Sequence, residues 1–103
     1  MPAIVQQTFI RAGEISAPVE SCGGVHFWAR GLDTSNTVNV QRSIDGGVTW
    51  ADVAAYDSDQ AAVVIAESTV NAQHRVVCSA KVRTGAAIRI KLSNETGNVN
   101  APE

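Results

Sequence analysis

Six carboxylates lie between positions 33 and 67: Asp33, Asp45, Asp52, Asp57, Asp59 and Glu67. Two such groups flanking a cleft would serve glycoside hydrolysis. Most of these acids fall in turn-like segments instead, where Asp is common because its side chain hydrogen-bonds nearby backbone. Serines and the two histidines, His26 and His74, supply triad members by count, but no serine sits in a Gly-x-Ser-x-Gly elbow. No glycine-rich phosphate loop opens a helix. Cys22 and Cys78 are 56 positions apart and have no metal-type spacing to each other or to either histidine. In a reducing compartment both are thiols, Cys78 in the core of a strand and Cys22 beside a turn; a disulfide between them is the alternative. These residues predict a protein that is not an enzyme and holds no cofactor and no metal.

The most informative stretch is Ser43-Ile-Asp-Gly-Gly-Val-Thr-Trp50, which fits every specified position of the S-x-D-x-G-x-T-W pattern, the Asp-box. Each residue type suits a tight β-turn. Asp45 can fold its carboxylate back onto backbone N–H groups, and Gly46 and Gly47 accept positive φ. Thr49 restarts an extended segment, and Trp50 is expected to lay its ring onto the sheet as core. The predicted structural turn is therefore Ser43, Asp45, Gly47, Thr49 and Trp50. Asp-boxes occur in sialidases, sugar-binding modules and viral structural proteins, usually as scaffold. A sialidase propeller repeats such blades around an axis, whereas this chain has one copy in 103 residues.

The elements that must carry this turn are strands. The chain has 14 Val and 7 Ile against 2 Leu and 1 Met, and β-branched side chains suit a pleated surface. No window shows a capped helical stripe. Strands are expected within Ile4 to Glu14, Val25 to Arg30, Thr37 to Ile44, Val48 to Tyr56, Ala61 to Glu67, His74 to Val82 and Ala87 to Ser93, with a short extended piece at 13–18. Ser21-Cys22-Gly23-Gly24 is a turn by composition. Arg83-Thr84-Gly85-Ala86 reads as a hairpin loop joining the last two strands. Seven or eight short strands at this spacing predict an all-β fold, an antiparallel β-sandwich or jelly roll. Residues 1–93 form one domain with an N-terminal arm at 1–7, and 94–103 is a polar tail with almost nothing to bury.

Net charge is −2, which gives no bulk attraction to nucleic acid or anionic lipid. No apolar run approaches the roughly 20 residues that span a bilayer. The first residues lack a basic region and a hydrophobic core, so no signal peptide is read and synthesis in a cytoplasm is expected. Trp28 shares a strand face with His26 and Arg30 rather than with Val25 and Phe27. An exposed ring there would stack on a glycan or anchor a protein interface; a covered one would close the edge of the core. Charge is segregated along the chain. The acidic stretch carries one base, Arg42, whereas Arg75, Lys81, Arg83, Arg89 and Lys91 follow with no acid among them. Opposed acidic and basic hairpins would let copies meet head to tail; two solvated faces, or neighbours complementary within one subunit, are the plainer alternatives.

Residues 37–93 resemble small bacteriophage virion proteins of the decoration, cement or head-fibre type. The residues that carry the likeness are Val38-Asn-Val-Gln-Arg-Ser-Ile-Asp-Gly-Gly-Val-Thr-Trp50, Glu67, His74-Arg-Val-Val-Cys-Ser-Ala80, Thr84-Gly-Ala86 and Ile88-Arg-Ile-Lys-Leu-Ser93. The resemblance implies a β-sandwich that forms a homotrimer on the capsid surface, with the major capsid protein as partner, or a place in tail or fibre parts. It implies a virion protein made in the bacterial host. The candidate interface residues are Ile4 and Val5, as a strand-adding arm, with Trp28, Arg75, Lys81, Arg83, Arg89 and Lys91. A carbohydrate-binding module is the competing reading, with a glycan as its partner.

Overall fold

In a computed structural model the described residues are 4–21, 25–65, 72–79 and 87–93. They form eight strands and no helix: β1 (Ile4–Phe9), β2 (Val19–Ser21), β3 (Val25–Arg30), β4 (Val38–Ser43), β5 (Ala51–Tyr56), β6 (Gln60–Ile65), β7 (Ala72–Cys78) and β8 (Ile88–Ser93). All pairings are antiparallel, in two four-stranded sheets ordered β1-β8-β3-β6 and β2-β7-β4-β5. The pairs β1·β8, β2·β7, β3·β6 and β4·β5 are nested, first strand with last and so inward, and successive pairs alternate between the sheets.

Period-2 alternation explains which faces meet. On β7, Ala72, His74, Val76 and Cys78 are buried while Gln73, Arg75 and Val77 are half-exposed. On β4, Val38 and Val40 point inward, and on β8, Ile88, Ile90 and Leu92 do so. One cluster drawn from both sheets results, with Phe9, Val25, Phe27, Val38, Val40, Val76, Ile88, Ile90 and Leu92 all fully buried. Each such side chain contributes roughly 1.5–3 kcal/mol by leaving water. Phe27 on β3 stacks on Tyr56 of β5, with centroids 5.3 Å apart and planes 20° apart, joining the layers directly. Cys78 is a buried thiol in this core; Cys22 lies outside the described residues.

Several expectations are corrected. Ile4 and Val5 are not in an arm: they pair with Ser93 and Leu92 in β1, because Val5 falls in the inward phase and packs against the core. β1 ends at Phe9 rather than Glu14, since the Glu14 carboxylate accepts the backbone N–H groups of Ile10 (2.5 Å) and Arg11 (2.8 Å) and so makes a turn. β2 begins at Val19 and takes in Ser21, which composition had assigned to a turn. β7 and β8 are not a hairpin. β7 pairs with β2 and β4, and β8 pairs with β1 and β3, in the other sheet. Alternation identifies a strand but is blind to its partner. The expected hairpin loop, residues 1–3 and the tail 94–103 lie outside the described residues.

Gly31 shows where the neighbouring ends of β3 and β8 tolerate no side chain. Its φ is +93°, and an added Cβ would lie 2.2 Å from the Ala87 carbonyl oxygen. Gly13 has φ +86° with nothing within 4 Å of such a Cβ. Urea unfolding should therefore show Gly31→Ala losing more than about 3 kcal/mol, from strain plus overlap. Gly13→Ala should lose only ~1 kcal/mol, the left-handed backbone cost alone.

Candidate functional site

The predicted turn forms between β4 and β5. Ser43 Oγ donates to Asp45 Oδ1 (2.7 Å) and accepts from the Gly47 N–H (2.8 Å). Asp45 Oδ1 also accepts from the Thr49 N–H (2.9 Å), and Oδ2 accepts from the Thr49 hydroxyl. Gly46 and Gly47 have φ of 78° and 92°. The hydrogen bonds from Thr49, and then from Ser43, hold the Asp45 carboxyl down at about 2, because each favours the ionised form. The remaining two large residues of the motif, Ile44 (69% exposed) and Val48 (79%), project into solvent.

Trp50 is not core. Its indole N–H donates to the Gly47 carbonyl (3.0 Å), and the Arg75 guanidinium lies 4.1 Å above its ring. Arg75 is in the outward phase of β7, so the ring sits on the outer face of the sheet. From there a polar row crosses the strands. Arg75 Nε donates to Gln41 Oε1, Gln41 Nε2 to Asp52 Oδ1, and Asn39 Nδ2 to Asp52 Oδ2, each at 2.9 Å. Beside it lies an open cleft of about 300 Å³ lined by Thr37, Asn39, Ala55, Tyr56 and Asp57. Amides, a carboxylate and a guanidinium arranged like this can bind paired hydroxyls.

Trp28 is 5% exposed, and the guanidiniums of Arg30 and Arg89 stand 5.3 and 6.0 Å from its ring centroid. Its π face is occupied by cations, so it is neither an exposed sugar platform nor an exposed anchor. The basic residues are not gathered on one hairpin surface. Arg75 is on the outer face of one sheet and Arg89 and Lys91 are on that of the other, because β7 and β8 belong to different sheets. Lys91, directly opposite Trp28, is only 9% exposed. Lys81 and Arg83 lie outside the described residues.

Asp33 and Asp59 hold backbone, and Glu67 lies outside the described residues. Asp33 accepts from Ser35 and Asn36 N–H (2.7 and 2.9 Å), and Asp59 accepts from Gly31 and Leu32 N–H (2.9 and 3.0 Å) and faces Arg30 at 3.6 Å. Among the described residues no cluster of three His, Cys, Asp or Glu could hold a metal ion.

One feature escaped the sequence reading. His74 is fully buried and its Nε2 accepts from Arg42 Nε (2.9 Å), leaving Nδ1 buried with no hydrogen-bond partner. The two are paired across β4·β7, in the inward phase at the end of the core. The signal was present: Arg42 follows Val38 and Val40 in step, and His74 precedes Val76 and Cys78 in step. Burial, and then the Arg42 charge, depress His74 to about 4.

No protein-family model, curated protein or solved structure matches the chain.

These two groups predict two separate acid limbs. The unfolded chain protonates His74 near 6.5, whereas the folded one resists until about 4. Stability present above pH 6.5 is thus lost on falling to 4, by on the order of 3 kcal/mol. His74→Gln, which keeps an acceptor for Arg42 without titrating there, should flatten that limb. Asp45 contributes stability that is full above 3.8 and lost on falling towards 2, so Asp45→Asn should flatten only the lower limb. Urea midpoints measured across this range check both.

Proposed function

We propose that this chain is a non-enzymatic structural protein of a bacteriophage virion, a capsid decoration protein that binds the capsid surface as a homotrimer and stabilises it. The observation that carries the reading is the strand order. Pairs nested first with last, alternating between sheets ordered 1-8-3-6 and 2-7-4-5, are what results when one long eight-stranded hairpin is rolled into two layers. That order supports a jelly roll, an architecture common to viral capsid and lectin domains. The resemblance of residues 37–93 to phage virion proteins favours the viral side of that pair. The apolar Ile44 and Val48, held out on the turn braced by Asp45, suit docking on a larger assembly. A decoration protein that meets its site only on the expanded shell adds its binding free energy to particle stability by mass action.

The row Asn39, Gln41, Asp52 and Arg75 beside its cleft favours a second reading, a glycan-binding module. A glycan array addresses it. Retention of a sugar by the native chain and its loss in Asp52→Ala would replace the capsid reading.

Co-sedimentation with heads assembled from the major capsid protein of the same genome tests the first reading. Saturable binding to expanded heads, raised head resistance to heat, and little binding to unexpanded proheads are expected. Absence of binding to expanded heads contradicts it. Ile44→Asp with Val48→Asp should lower head affinity tenfold or more while leaving the far-UV spectrum unchanged.

A further inference from the structure

We infer that copies of this chain join edge to edge, with β1 of one copy adding antiparallel to β6 of the next. In the sheet β1-β8-β3-β6 the outer strands read Ile-Val-Gln-Gln-Thr-Phe and Gln-Ala-Ala-Val-Val-Ile. Both are six residues long, with no charged side chain and no proline. The charges of this sheet sit on the inner strands instead: Arg30 on β3, and Arg89 and Lys91 on β8. Soluble β-proteins ordinarily place lysine, other charges, proline or a bulge on an edge, because an edge presents a row of backbone groups to any passing strand. The second sheet follows that practice. Its outer strands carry Glu20 and Asp52, and β5 is bulged against β4 between Val40 and Gln41.

β1 is an unbulged edge, running from Ile4 to Phe9 against β8 with no register shift, and with Ile4 44% exposed. β6 shifts register only towards its Gln60 end and is regular from Val63 to Ile65. The directions also fit. Alternate strands of an antiparallel sheet run oppositely, so β1 and β6 of one copy point opposite ways. Copies rotated about an axis along the strands then meet with β6 antiparallel to β1, and the sheet continues from copy to copy. This heterologous contact closes into a ring when the rotation closes. Choosing β6 over a second β1 as the partner strand rests on the homotrimer reading above, since β1 against β1 closes as a dimer.

Native mass spectrometry and light scattering on the full chain test this. The expected mass is three times the 10.8 kDa of one chain. Thr8→Lys, an ammonium on the exposed outer phase of β1, should bring the mass to that of one chain with an unchanged far-UV spectrum. Ala55→Lys, on an edge of the other sheet, should keep the trimer. Ile4→Lys is the second variant, should Thr8→Lys fail to fold. A single-chain mass for the native protein at every accessible concentration, or a trimer that survives the β1 lysines, overturns the inference. A dimer dissolved by those lysines overturns it as well, in favour of β1 against β1. A native monomer that still binds expanded heads would end the edge pairing and leave the decoration reading standing; a lysine-sensitive trimer that binds no heads would do the reverse.

Discussion

Asp45 accepts twice from Thr49 and once from Ser43, and Ser43 in turn accepts from Gly47. Those bonds fix the length and conformation of the turn joining β4 to β5, the innermost of the four nested pairs. Hairpin register follows from the turn, and β4 hands it on to β7, where Val38 faces Cys78 and Val40 faces Val76. A slip of one residue would turn Asn39 and Gln41 inward and expel both valines. The outer pairs have no such short closure. Ile4 meets Ser93 across nearly the whole chain, so their register depends on side chains fitting a core whose inner half is already set.

The molecule divides its polar groups by face. Outward positions of the β2-β7-β4-β5 sheet satisfy one another through Asn39, Gln41, Asp52 and Arg75, with Trp50 beneath the guanidinium. Inward positions are apolar except at the end near the Asp45 turn, where Arg42 and His74 share one hydrogen bond. A buried imidazole with an unpaired nitrogen costs stability, and it tolerates a proton poorly beside a guanidinium. The neighbouring register pair, Ser43 with Gln73, leads directly into the turn. The turn therefore adjoins the buried imidazole whose protonation the fold resists.

What the sequence made legible was local. The motif Ser43 to Trp50 named its turn because each residue type has a job within eight positions. Strands β3, β4 and β8 could be read from alternation, and β3 at its observed bounds. Partnering could not be read. β7 and β8 alternate cleanly, and nothing within them says that they belong to opposite sheets, since pairing is a property of the whole fold. Trp50 was misplaced because hydrophobicity alone sends a tryptophan inward, whereas this ring is held outside by its own N–H and by Arg75. Trp28 takes the face that alternation gives it, and of the two exposures the sequence leaves open the covered one holds, with the guanidiniums of Arg30 on β3 and Arg89 on β8 over its ring.

Amide hydrogen exchange by NMR tests most directly whether the Asp45 turn sets the register of the nest. The amides of Gly47 and Thr49, in a surface turn but bonded to Ser43 and Asp45, should exchange slowly in the native protein. In Asp45→Ala both should exchange freely, and protection should fall along β4·β5 and β4·β7 further than along β1·β8. Rapid exchange of Gly47 and Thr49 in the native chain, or unchanged protection of β4·β5 in Asp45→Ala, would contradict the account.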